Sequence, residues 1–402
     1  MINTMKTAFL MSLLVALAIL IGYALGGMTG LIIGGAIALV GNLFSYWFSD
    51  KIVLATYRAQ ELSEEEAPKL HAMVERLTQR AGLPKPRVYL VPSQTPNAFA
   101  TGRSPRTASI AVTAGLLGRL NRDELQGVVA HEMSHILHRD ILYVMLAGVM
   151  LGGVVLLSQV FLRGMFYGVR GSHRRYSSGR RGGGQAQIAI VVIAIVAAVL
   201  APIMAQLLYF AVSRRREYLA DAGAARLTRY PEGLAGALEK IAGDPAPQLA
   251  TANDATAPMY IVNPFKKRGK MDLSAWTSTH PPIAERIRIL RSMSQGASYK
   301  DYAEAFAGVS RGRNPVPVAA ITKEQVPIRP APAEAGAPEH IQKQLRQVGD
   351  IMRKVNGFQF LTCVCGLKIK VPPNFKAPAL NCPRCGRTLP LTVQQGQISA
   401  AG

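Results

Sequence analysis

The sequence predicts an α+β membrane protein: four apolar transmembrane-type helices, a mainly helical domain carrying a small sheet, and a small C-terminal β unit. Three observations predict it. Four runs without Lys, Arg, Asp or Glu, at 8–26, 31–48, 141–162 and 188–212, each approach the ~20 apolar residues that span a bilayer. Between 51 and 140, helical periodicity alternates with short β-type runs. All four cysteines fall within 363–385, which points to one local site rather than a scattered disulfide framework.

The chain has 402 residues, room for two or three folded units. Its net charge of +22 fits either nucleic acid or a membrane protein with basic cytoplasmic flanks. No RNA- or DNA-binding motif accompanies the charge, so the lipid bilayer is the expected partner and nucleic acid is not. A second apolar run follows the first after only Gly27-Met28-Thr29-Gly30, which favours a helical hairpin anchor over a cleaved signal peptide. The expected organisation is a transmembrane hairpin (1–50) and a main domain (51–310) that includes 141–162 and 188–212. A Pro/Ala-rich linker (311–338) and a helix with a cysteine unit (339–402) follow.

Along the main domain, Glu61–Arg80 reads as an amphipathic helix with an acidic start at Glu64-Glu65-Glu66. "PRVYLVPS" (86–93), "NAFATG" (97–102) and "ASIAVTAGLL" (108–117) read as strands, the last two around the turn-like "RSPR". Asn121–Arg139 reads as a helix, as does "SRRREYLADAGAARL" (213–227). "STHPPIAERIRIL" (278–290) reads as a loop entering a helix, with Pro282 suited to a first turn.

The chemistry concentrates in "VVAHEMSHILHRD" (128–140). His131 and His135 are four apart, so on a helix they share one face. Two imidazoles at that spacing can bind one zinc ion, and Glu132 beside them can take a proton from the water such an ion activates. A third ligand is needed. His138 follows His135 by three, but the extended histidine motif has Gly there and a His three residues later, where this chain has Ile141. Glu217 is the better candidate, with Asp221 one helical turn later placed to accept an imidazole N–H. Spacing alone also fits a solvated Glu-Asp pair beside three arginines.

"HEMSHILHRD", a pair of apolar segments, "SRRREYLADAGAARL" and "STHPPIAERI", in that order, resemble the HtpX-type membrane metalloproteases, relatives of the CAAX prenyl endoproteases. The resemblance covers about residues 1–295. It implies a gluzincin-like fold, with His131, His135 and Glu217 as zinc ligands and Glu132 as base. It also implies peptide-bond hydrolysis at the cytoplasmic face of a bacterial inner membrane, on membrane-protein or unfolded polypeptide substrates, as in membrane protein quality control. "PNAFATG" is similar to the family's edge strand above the zinc, which makes Asn97, Ala98, Phe99 and Ala100 the expected substrate strand; an exposed sheet edge can hold an extended peptide by main-chain hydrogen bonds. His280 is the candidate donor to the developing oxyanion, with Arg286 fixing its loop; a helix-start hydrogen-bonding role for His280 fits as well.

His135 precedes Ile141 by six residues, about 9 Å of helix, and Glu217 follows Val212 by five. Both halves of the expected site therefore grow out of apolar segments. The arrangement has one tension: two full crossings would put 163–185, with six arginines, outside, against the positive-inside tendency. A buried or partial hairpin would relieve it.

"CVCG" (363–366) and "CPRCG" (382–386) resemble a zinc ribbon, although the first pair is Cys-x-Cys. Cys363, Cys365, Cys382 and Cys385 can form a closed tetrahedral structural zinc site, the second zinc of the chain. Two disulfides are the redox alternative. The competing functional class is a catalytically silent membrane scaffold that presents this ribbon to a partner.

Overall fold

The computed structural model describes residues 51–141, 214–243, 281–331 and 338–391, apart from 311, 313, 323 and 376, together with part of 12–50. The apolar runs 141–162 and 188–212 (Ile141 aside), the arginine-rich loop between them and His280 lie outside the described residues. Among the described residues, no helix is long and apolar enough to cross a membrane.

Four strands form one sheet in the order β1-β2-β4-β3: β1 Gln60–Glu61, β2 Arg87–Val91, β3 Ala98–Thr101 and β4 Ser109–Thr113. β2 and β4 are parallel; the other pairs are antiparallel. Strand side chains alternate between faces. Val88, Leu90, Ala98, Ala100, Ile110 and Val112 enter the main core, while Tyr89, Val91, Phe99 and Ala111 pack with Val53, Leu54 and Tyr57. Residues 50–56 are helical, so Val53 and Leu54 dock with Tyr57 on the sheet's outer face. The Tyr57 and Phe99 rings meet there at 5.0 Å. Full burial of such a side chain contributes about 1.5–3 kcal/mol.

Two boundaries differ from the sequence expectation. The helix expected from Glu61 begins at Pro68 and runs to Ala81. The Ser63 N–H donates to the Glu66 carboxylate (2.7 Å) and the Glu66 N–H to the Ser63 hydroxyl (3.2 Å), which folds the acidic stretch into a turn before the helix. Pro68, with no N–H to satisfy, suits the first helical position. The strand expected over 108–117 ends at Thr113. The Thr113 hydroxyl accepts the Leu116 N–H and starts a helix, Ala114–Arg119.

The motif helix, Arg122–Leu137, is fixed by a capping box. The Asn121 side chain accepts the Asp123 and Glu124 N–H groups, and the Glu124 carboxylate accepts the Asn121 N–H. Such caps contribute about 1 kcal/mol. Helices 214–228 and Pro231–Gly243 pack against it, and Ile283–Ser292 packs on Pro231–Gly243. A fourth, Tyr299–Val309, packs on Ile283–Ser292. The helices Pro231–Gly243 and Tyr299–Val309 are not evident from the sequence reading. Helices approach closely only where side chains are small. A Cβ on Gly127 would lie 2.6 Å from the Leu234 nitrogen, and one on Gly223 would lie 2.0 Å from the Ser134 hydroxyl.

The described part of the Pro/Ala-rich segment is extended, with one short 3-10 turn at Val318–Ala320, and it is bonded along the protein body. Helix Pro338–Val355 follows and packs on Ala114–Arg119. Two hairpins end the described chain: β5 Gln359–Thr362 with β6 Lys368–Val371, and β7 Ala379–Asn381 with β8 Thr388–Pro390.

The Gly223–Ser134 crossing sets the distance between the two helices that carry the motif residues. Gly223→Ala should destabilise the protein by about 1–3 kcal/mol, since overpacking at a rigid crossing forces the helices apart. Adding Ser134→Gly should recover part of the lost melting temperature. A Gly223→Ala protein that melts with wild type would show that the crossing is not tight.

Candidate metal centre

The motif helix presents His131 and His135 on one face, with ring centroids 4.9 Å apart and planes at 89°. Helix 214–228 brings Glu217 to them. His131 Nε2 lies 3.6 Å from Glu217 Oε2, and His135 Nε2 lies 3.4 Å from Glu217 Oε1. One ligand atom from each of the three residues falls within 4.8 Å of the others. These separations are long for hydrogen bonds. They suit a shared ion: zinc bonds of about 2.0–2.1 Å to nitrogen and oxygen put tetrahedral ligand atoms roughly 3.3–3.4 Å apart.

A second layer holds these groups in place. His131 Nδ1 lies 3.0 Å from Asp221 Oδ1, at ion-pair rather than well-aligned hydrogen-bond geometry. Arg286 grips Asp221 bidentately, Nε on Oδ2 at 2.8 Å and NH2 on Oδ1 at 2.7 Å, and its NH1 lies 3.6 Å from Glu217 Oε2. Arg286 is fully buried beneath Asp221; the His280 loop it was expected to fix lies outside the described residues. His135 Nδ1 lies 3.5 Å from Asp140 Oδ2. Arg139 adopts a left-handed conformation (φ 58°) just past the helix end, and the buried Asp140 follows it back toward His135. The sequence reading passed over Asp140; its signal was a lone acid five residues after His135.

Glu132 is buried on the same helix. Its Oε2 accepts the Ala100 N–H at 2.8 Å, a bond sequence reasoning did not anticipate. β3 is the terminal strand of the sheet, and Thr113 N–H donates to Asn97 C=O at 2.9 Å. Antiparallel alternation then turns the backbone groups of Ala98 and Ala100 to the unpaired edge. Asn97, Ala98, Phe99 and Ala100 are all buried beside the motif helix or the second core.

His138 turns away from the centre. Its Nδ1 donates to the Ser134 carbonyl (2.8 Å) and its Nε2 lies 3.3 Å from the Tyr299 hydroxyl. It is outside the group of three.

Burial dominates the electrostatics. It raises the Glu132 carboxyl, although His131, His135 and the Ala100 N–H oppose it. Burial alone would lower His135, yet Asp140 and Glu217 overcome it and push the group up to about 10. His131 is likewise raised, by Asp221 and Glu217 against burial. Burial would raise Asp221, but the Arg286 guanidinium holds it below the usual carboxylate range.

The cysteine unit gathers four free thiols. Cys363 Sγ lies 3.5 Å from Cys385 Sγ, and Cys365 Sγ lies 3.6 Å from Cys382 Sγ. Zinc–sulfur bonds of about 2.3 Å give tetrahedral separations of roughly 3.8 Å, so the set fits one ion. Gly366 (φ 80°) and Gly386 (φ 71°) close the two turns, donating to the Cys363 and Cys382 carbonyls at 2.8 Å. Burial would raise Cys382, but the Arg384 and Cys385 N–H groups help bring it down to about 6, toward the thiolate a metal needs.

The sequence profile described as Peptidase family M48 matches residues 64–294. A "Protease HtpX homolog" of Pyrococcus furiosus is 48% identical over 290 residues, covering 72% of this chain and 95% of that protein. One of Paraburkholderia phytofirmans is 43% identical over 304 residues, covering 75% of this chain and all of that protein. Among solved structures, the crystal structure of S. mikatae Ste24p aligns with 19% identity and a TM-score of 0.42, over 72% of this chain and 65% of that one.

Zinc binding must compete with protons at this centre. A histidine whose pKa rises on folding stabilises the fold below its unfolded pKa of about 6.5, and that stabilisation is lost as pH rises. For His135 the loss extends through about 10. Metal-free protein should therefore lose stability between about pH 6.5 and 10, while apparent zinc affinity climbs over the same window. Loading zinc at pH 7 should release roughly one to two protons from this centre. Calorimetry in buffers of different ionisation enthalpy, on a Cys365→Ser/Cys382→Ser variant, measures the release. Zero release would mean that the imidazoles are already neutral.

Proposed function

The chain belongs to peptidase family M48, and from that premise we propose that His131, His135 and Glu217 hold a catalytic zinc ion while Glu132 serves as general base and acid in peptide-bond hydrolysis. That the protein is a membrane zinc metalloprotease follows from the family; the residue roles are our reading of this chain. The observation that carries it is the convergence of the three ligand atoms within 4.8 Å, with Glu132 on the adjoining helical position.

A bound zinc ion supplies an acidified water and a polarised carbonyl. The protein's own residues do the rest. Glu132 is anchored by the Ala100 N–H, so its second oxygen is left to accept the proton of the attacking water and later deliver it to the leaving amine. Burial raises its proton affinity, which suits it to both transfers near neutral pH. Asp221, itself locked by Arg286, orients His131, and Asp140 does the same for His135.

The substrate is an extended stretch of polypeptide laid along β3. The support is register: Ala98 and Ala100 turn their backbone groups to the edge where Glu132 is bonded. Main-chain pairing demands little of side-chain sequence, which fits unfolded or membrane-protein substrates. His280 is kept as the candidate oxyanion donor. We place the site at the cytoplasmic face, as membrane quality control requires. Tyr23, Met28, Ile32, Leu39, Val40, Leu43, Phe44 and Trp47 expose an apolar surface suited to lipid, and the same segment ends docked on the sheet that carries β3. A scaffold that only displayed its ribbon would gain nothing from burying Glu132 beside the three ligands.

Glu132→Gln should keep the Ala100 bond and the zinc yet lower cleavage of a short peptide by about 10²–10⁴-fold. Glu217→Ala should lose the catalytic zinc, whereas His138→Ala should retain it. Near wild-type cleavage by Glu132→Gln would remove the base assignment.

The full chain should carry two zinc ions. Cys365→Ser with Cys382→Ser should carry one and still hydrolyse a short peptide, because no cysteine adjoins the hydrolytic residues. Elemental analysis beside a peptide assay checks both. Two zinc ions in the double variant would exclude the ribbon as a metal site.

A further inference from the structure

We propose that residues 314–330 are a strap that fixes the Glu217 helix against the motif helix and so sets how tightly the catalytic metal is held. The proposal rests on the reading that His131, His135 and Glu217 bind the zinc.

The strap runs parallel to helix 214–228 for most of its length. Arg215 Nε donates to the Pro315 carbonyl at 3.3 Å, Arg226 NH2 to Glu324 Oε2 at 2.7 Å, and Arg229 Nε to the Pro327 carbonyl at 2.9 Å. The bonded pairs are separated by 100, 98 and 98 residues, so the two segments keep nearly constant register. Glu217 and Asp221 lie between the first and second of these pins. From Arg215 to Arg226 the helix advances about 16 Å. The strap has nine residues for that distance, and the 3-10 turn at Val318–Ala320 takes up the slack.

The strap then crosses to the other ligand helix. Arg329 donates its N–H to the Arg229 carbonyl at 2.8 Å, and its guanidinium pairs with Asp123 in the first turn of the motif helix. The same guanidinium lies 4.5 Å from the Tyr230 ring. Val316 and Val326 are buried, and the Val326 carbonyl accepts the Ala297 N–H at 2.8 Å. Prolines at 315, 317, 327 and 330 pre-extend the segment, so ordering it costs less conformational entropy. Beyond the strap, helix Pro338–Val355 packs on Ala114–Arg119, just ahead of the motif helix.

The family profile ends at residue 294, and the strap begins at 314. This chain therefore adds, outside the family's matched region, a segment that joins the two helices on which the three ligands depend. Glu217 reaches the site from a different helix than the histidines, so a small shift between helices changes metal affinity before it changes the fold.

The test uses the full chain loaded with cobalt(II). A His/Glu cobalt site lacks the thiolate charge-transfer absorption of the cysteine site, so the two are read separately. Glu324→Ala with Arg329→Ala should speed chelator-driven cobalt loss from the catalytic site about tenfold, within the usual range of coupling through packed networks. Peptide kcat at saturating zinc should stay within about twofold of wild type. Glu324→Arg should behave like the double variant, and adding Arg226→Glu should restore slow release. Unchanged release in both variants overturns the strap, as does a lowered melting temperature with unchanged release. Retention of catalytic cobalt in Glu217→Ala overturns the ligand reading and the strap's role with it.

Discussion

The site depends on one buried ion pair, Asp221 with Arg286. Both groups are fully enclosed, and the guanidinium meets the carboxylate through two parallel bonds. Breaking such a pair from one side leaves an uncompensated buried charge, typically at a cost of about 3–5 kcal/mol. The pair also does positional work. Asp221 reaches back to His131, and Arg286 reaches on to Glu217, so one guanidinium orients parts of two ligand groups. Helix Ile283–Ser292 thereby contributes to the centre without touching the ligand face of either imidazole.

Charge balance extends the same constraint. Glu132, Asp140, Glu217 and Asp221 are all buried within one cluster. Arg286 offsets one of these charges, and two protonated imidazoles or one divalent cation can offset two more. That is why His131 and His135 are raised by neighbouring carboxylates despite their burial. The carboxylates that make the metal-free histidines basic are the same ones that make the site attractive to zinc. Proton and metal compete for a single electrostatic need.

The His-Glu-x-x-His spacing, the Glu217–Asp221 turn and the clustered cysteines were legible because each is a local pattern within one element or one hairpin pair. Three of the four sheet strands were legible from their apolar runs and the turn between them; the two-residue β1, Gln60–Glu61, was not. Other features were not, and each failure has a physical reason. Thr113 ends a strand by capping a helix, a choice made by one hydroxyl that apolar content cannot reveal. The acidic run at 64–66 looked like a helix start, but Ser63 and Glu66 bond each other first. The pairing of Arg286 with Asp221 was not legible because the partners lie 65 positions apart and only the fold brings them together. Asp140 needed a left-handed Arg139 to turn the chain, a conformation no spacing rule announces for arginine. The linker showed its extended form but not its contacts, since its partners lie about 100 positions away and several of its anchoring groups are backbone carbonyls.

Placing this chemistry beside apolar segments has a structural logic that runs through the sheet. β3 turns one face to the main core and the other to Tyr57, while its Ala100 N–H bonds Glu132 at the edge, and the helical stretch 50–56 supplies Val53 and Leu54 beside Tyr57. A single strand thus contacts both Glu132 and the helical stretch 50–56. Phe99 and Ala100 are adjacent residues pointing to opposite faces, so the strand that meets the Tyr57 ring through Phe99 also bonds Glu132 through the next N–H.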